Sequence, residues 1–270
     1  QRGLRIFHRK KKKRHLASPS RDFTTNTQSE EYAMNPNVLT PSTPEGAPFE
    51  RRDFIVATYK HLGVAMLAFV VLSAVLMATG FSGTAAKMLL ASGNKFLWLG
   101  VMGAFMLVGW LASYMADNAE SPQTQLMGLG LYVLAEGLIF APMFGIAQIV
   151  APGAIGAAAF ITLLLVGALT WTAFSTKTDF SFLGGILKVG GLVALGTIVA
   201  GAIFGFKLGI WFSGIMVLFA GACVLYDTSR IIHDYPADRP AGDELHLFAS
   251  IALMLWYVLR ILISLATIDV

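Results

Sequence analysis

Seven apolar segments, at roughly 62–81, 96–115, 126–149, 153–174, 183–205, 209–232 and 247–268, govern what this chain can fold into. About 20 helical residues cross the ~30 Å of hydrocarbon in a bilayer, and each segment approaches that length. In lipid a backbone must satisfy its own hydrogen bonds, and at this segment length only helices do so. The fold class expected is therefore an all-α membrane protein, a seven-transmembrane helix bundle. Charge agrees, because only 13% of residues are Asp, Glu, Lys or Arg, against about a quarter in soluble domains. The third and fourth segments are separated only by residues 150–152. Pro152 and Gly153 suit a tight turn there, and a merged segment would be too long for one crossing.

Two parts are expected, a basic, solvated N-terminal tail over 1–53 and a seven-helix transmembrane domain over 54–270. Residues 1–33 hold nine Lys/Arg against three acids, whereas 34–270 hold eleven against thirteen. Arg9–Arg14 is an unbroken basic run. Such runs occur in disordered tails, in segments that meet anionic headgroups or nucleic acid, and in targeting extensions. The composition favours the solvated tail, and no nucleic-acid partner is expected. Met34 opens a less biased stretch at which translation could equally begin. Short loops set orientation through Lys and Arg. Arg51, Arg52, Lys60, Lys177, Arg230 and Arg239 fall on one side, and Lys87, Lys95 and Lys207 on the other. This predicts a cytoplasmic N-terminus in a cell (inner) membrane, with the C-terminus across it.

No GxSxG, HExxH, Walker or GxGxxG pattern is present, so no enzyme is expected. One cysteine, Cys223, excludes a disulfide framework. Gly201, Gly205 and Gly209 have small-xxx-small spacing, which fits a dimer face, and better fits close helix packing within one monomer or the turn between the fifth and sixth spans. His233, Asp234, Asp238, Asp243, Glu244 and His246 gather before the last span. Their spacing fits no metal motif, and a solvated polar loop is expected.

Charges within the spans are the functional candidates, because an ionisable group at membrane depth is costly. Asp227 lies in ACVLYDTSRIIHDY, about 8 Å from the nearer edge of its span by helical rise. Glu136 lies in the third span at about 15 Å and Arg260 in the seventh at about 20 Å, on the same count. Arg230 follows Asp227 on one helix face and is a local partner for it. The similar depth of Glu136 and Arg260 predicts a buried ion pair. Asp227 and Glu136 are the candidate pH-sensor and ion-pathway residues, with Arg230 and Arg260 as intramembrane counter-ions. A single buried carboxylate suits protonation better than Ca²⁺, which prefers clustered oxygens.

Three motifs carry a resemblance. AEGLIFAP (Ala135–Pro142), TKTDFSFLGG (Thr176–Gly185) and YDTSRII (Tyr226–Ile232), in this order along the spans, resemble the Bax inhibitor-1 family in its bacterial form, over roughly 50–268. The resemblance implies a seven-helix fold and a pH-sensitive Ca²⁺ leak. In eukaryotic members it implies suppression of cell death, and in some bacterial ones modulation of membrane-protein quality control. It also implies a latch between the Asp at position 227 and a second Asp in the last span. ALMLWYVLRIL places that second position at Val258, so the latch lacks its partner. Arg260, two residues on, opposes cation passage. The leading expectation is a pH-sensitive calcium (cation) leak without a bound cofactor, Ca²⁺ being the transported ion. The alternative is a non-conducting adaptor regulating a membrane protease or a stress or cell-death partner. The bilayer is the expected environment, and monomer and homo-oligomer both remain open.

Overall fold

The structure is a computed structural model that describes residues 48–92, 95–118, 121–176, 178–233 and 240–268. The predicted tail over 1–47 and its basic run lie outside the described residues, which all fall in the compact unit Gly46–Val270. Eight helices are described: α1 (Pro48–Ala78), α2 (Phe81–Ala91), α3 (Lys95–Asn118), α4 (Pro122–Val150), α5 (Ala154–Ser175), α6 (Leu183–Phe204), α7 (Ile210–His233) and α8 (Pro240–Ile268). Among the described residues there is no strand. All but α2 are long and apolar enough to cross a membrane, giving seven candidate spans. The chain is a multi-pass membrane protein.

Three boundaries differ from the sequence reading. α1 starts at Pro48, so residues 48–53, read as tail, are helical. α2, at 11 residues, occupies what the hydropathy pattern leaves as a loop. It is about 16 Å long, too short to cross. α8 starts at Pro240 rather than near 247, because its first turns carry Asp243, Glu244 and His246. The turn at Pro152 and Gly153 is present. Gly153 adopts φ 88° ahead of α5, a left-handed conformation that glycine accepts without the Cβ penalty. The glycine spacing at Gly201, Gly205 and Gly209 marks the α6–α7 turn, with Gly205 at φ 78° capping α6.

α4 and α8 are the inner helices, buried on several faces. Their core is an aromatic knot. Phe140 of α4 meets Phe69 of α1 edge-on at 5.2 Å and Trp256 of α8 at 5.1 Å. Phe69 also meets Phe248 at 5.9 Å. The outer helices turn large apolar side chains outward, such as Trp171 and Trp211. This is the expected arrangement where lipid is as apolar as the core. α6 is the least embedded span, with Gly201 its only fully buried residue.

Candidate functional site

α7 buries Ser213, Met216, Ala220, Val224, Asp227 and Ile231, a stripe at three- and four-residue spacing that turns one helix face inward. Asp227 is therefore on the packed face. Its Oδ2 accepts a hydrogen bond from Ser250 Oγ of α8 at 2.5 Å. A buried carboxylate requires such donors. The position that the resemblance reserved for a second acid, Val258, is a packed core residue. It lies roughly two helical turns beyond Ser250. The side chain that answers Asp227 from the last span is thus a hydroxyl, which the sequence reading did not single out.

Arg230 acts on Asp227 as a nearby positive charge, as predicted, and has a second acidic partner. Its Nη2 stands 3.3 Å from Asp243 Oδ1, and its guanidinium lies 5.8 Å from the centre of the Tyr226 ring. The second partner comes from the early start of α8, which brings Asp243 alongside the end of α7. The same start overturns the solvated-loop reading of Glu244 and His246. Glu244 is fully buried, its Oε1 2.9 Å from His61 Nδ1 of α1. His246 Nε2 lies 3.4 Å from Asp117 Oδ2 of α3. Three contacts between ionisable groups thus tie the first turns of α8 to α1, α3 and α7. Asp234 and Asp238 lie outside the described residues. Among the described residues no cluster of three or more His, Cys, Asp or Glu is placed to hold a metal.

Glu136 opens into a cavity of about 370 Å³ whose wall includes Trp98, Ile198, Ser250, Trp256 and Arg260. The Tyr132 hydroxyl, one turn earlier on α4, bonds its carboxyl. Arg260 lines the same cavity, yet the predicted Glu136–Arg260 ion pair is not formed. Arg260 Nη2 donates to the Leu208 carbonyl in the α6–α7 turn at 2.7 Å. The aromatic contacts explain the miss. Tyr132 packs on Phe248 and Phe140 on Trp256, so Glu136 sits about level with residue 252. Arg260 is then about 12 Å farther along the axis. Depth counted from an apolar edge near 247 rather than from Pro240 brings the two charges falsely level. Ser250 joins the two acids, bonded to Asp227 on one side and forming cavity wall on the other.

Two of the motifs meet physically. Phe180 N–H donates to Ser229 Oγ at 2.9 Å, and that hydroxyl donates to Asp179 Oδ1 at 3.1 Å. The loop before α6 is thereby fastened to the end of α7. Gly184 completes the joint, since a Cβ there would stand 3.0 Å from the Tyr226 ring. The Ser181 hydroxyl and backbone N–H, then Ser229, hold the exposed Asp179 carboxyl below its usual range. A depressed native pKa contributes stability above the unfolded value near 4 and loses it as pH falls through the native one. Acid titration of the thermal midpoint below about pH 4 is expected to show a fall in wild type that is reduced in Asp179→Ala.

Comparison with known proteins agrees with this architecture. An uncharacterized protein of Pseudomonas aeruginosa, PA2604, is 34% identical over 96 residues, 34% of this chain and 39% of that protein's length. The uncharacterized proteins NMA0420 and NMB2020 of Neisseria meningitidis serogroups A and B are each 26% identical over 211 residues, 77% of this chain and 89% of theirs. A family model described as "Inhibitor of apoptosis-promoting Bax1" matches residues 51–266. That match reaches all seven candidate spans, and the chain belongs to the Bax inhibitor-1 family.

Proposed function

We propose that the protein is a pH-responsive cation leak, with Ca²⁺ as the candidate ion, in which Asp227 is the gating acid and Glu136 an accessory acid on the path. The observation that carries this reading is the Asp227–Ser250 bond, because Ser250 also forms wall of the cavity into which Glu136 opens. Protonating Asp227 removes the negative charge that strengthens its bond from Ser250, and so loosens α7 from α8 beside that cavity. The groups facing Asp227 are Cys223 and Arg230 on its own helix and Asp243 and His246 on α8. The loop distribution of Lys and Arg supports an N-terminus on the cytoplasmic side of a bacterial inner membrane. The activity needs no enzyme chemistry and no bound cofactor.

Ca²⁺ flux into proteoliposomes, scanned from about pH 5 to 8, tests the reading, this window bracketing a buried carboxyl. Wild-type flux is expected to vary with pH. Asp227→Asn is expected to carry flux that changes less than about twofold over the same window, since an amide does not titrate there. A pH response that survives Asp227→Asn removes Asp227 from the gate. A second reading, a non-conducting adaptor for a membrane protease or other partner, is favoured by Arg260, whose guanidinium sits at the α6–α7 end of the cavity. A silent wild type decides for the adaptor.

A further inference from the structure

The cavity bounded by α3, α4, α6 and α8 holds an acid and a guanidinium that do not meet. Glu136 enters it from α4 and Arg260 from α8, offset by about 12 Å along the bundle. Arg260 spends one donor on the Leu208 carbonyl, and a guanidinium has five. Between the charges the wall is apolar and aromatic. Trp98 and Trp256 stack with centroids 6.2 Å apart, and Phe140 stands edge-on to Trp256. Aromatic faces attract an ammonium group, and a guanidinium pairs with a carboxylate through two parallel bonds. An acid and a guanidinium at the two ends of an apolar gap inside a bilayer are costly to hold, and each has one hydrogen-bond partner, the Tyr132 hydroxyl and the Leu208 carbonyl, with further bonding capacity left.

We infer that this cavity is a binding site for a zwitterionic amphiphile, its ammonium at Glu136, its carboxylate at Arg260 and its apolar body against Trp98 and Trp256. The volume of about 370 Å³ accommodates a ligand of roughly ten heavy atoms in the manner of small-molecule sites. The inference goes beyond the leak and does not depend on it, because a protein that never conducts can still hold such a ligand.

The molecule carries its own reporter. Of its five tryptophans, Trp110, Trp171 and Trp211 are exposed on the outside of the bundle. Changing these three to Phe leaves Trp98 and Trp256 in the cavity wall. The detergent-solubilised full chain in that background is titrated with ω-aminooctanoate, octanoate and octylamine, following tryptophan fluorescence. The two-ended compound is expected to saturate at a concentration at least about tenfold below either one-ended compound, each lost charge contact being worth about a factor of ten or more. Glu136→Gln is expected to reduce it to the level of octanoate, and Arg260→Gln to that of octylamine. Absence of saturation, equal binding of all three, or a preference that survives both substitutions overturns the inference. Should either variant fail to stay monodisperse, an ω-aminoalkanoate length series in the unaltered cavity decides. Affinity peaking at one intermediate chain length, as a fixed separation of the two anchors requires, supports the site. Affinity that climbs steadily with length overturns it. No ion gradient enters the assay, so its failure leaves the leak untouched, and silence in the flux assay leaves the site untouched.

Discussion

Phe140→Ala is expected to lose about 3 kcal/mol of stability, the low end of the range for phenylalanine truncations in packed cores. The ring is 1% exposed and touches Phe69, Phe144 and Trp256, which belong to α1, α4 and α8. In a water-soluble protein part of that loss would be the transfer of the ring out of water. In a bilayer the unfolded reference leaves the side chain in lipid, so this part shrinks and the emptied volume dominates. Denaturation in mixed micelles, or the thermal midpoint in one detergent, measures it. A loss below about 1 kcal/mol, typical of a site that collapses easily, would mean that the aromatic knot does not hold the inner helices together.

Gly145→Ala and Gly130→Ala, two substitutions on one helix, are expected to act with opposite sign. A Cβ at Gly145 would stand 2.2 Å from the Ser82 carbonyl oxygen of α2, closer than two such atoms can approach. No side chain can rotate aside, because the obstacle is backbone. Helix α2 must move, at about 1–3 kcal/mol for forced overpacking. At Gly130 a Cβ meets nothing within 4 Å. The change there should gain up to about 1 kcal/mol from helix propensity. Parallel unfolding of the two variants checks the sign. Stabilisation by Gly145→Ala would show that α2 does not pack against α4 this closely.

Which features were legible in the sequence follows from what a one-dimensional pattern encodes. Span number and helical class were legible because hydropathy and length decide both. Asp227 was legible because a lone carboxylate in an apolar run stands out. Arg230 was legible as well, one turn along the same helix, but the partners on other helices were not, because they depend on which way each helix faces and where each begins. FSGTAAKMLLA is too short and too mixed to separate from a loop, so α2 was missed. Asp243, Glu244 and His246 look like loop residues until their tertiary contacts with Arg230, His61 and Asp117 are seen. That misreading shifted the origin of α8 and, with it, the height of Arg260. Ser250 gave no signal, since a serine within a span is unremarkable unless the acid it faces is known.

The shallow embedding of α6 bears on how anything reaches the interior. Ile198 of this helix is part of the cavity wall, while only Gly201 of the same helix is fully buried. Parts of a protein with few buried contacts open at the least free-energy cost. The α6 side of the chamber, which borders the acyl chains, is therefore among the least costly to open. Traffic through it would come sideways out of the bilayer, and the lipid composition around the protein would help set the rate of entry.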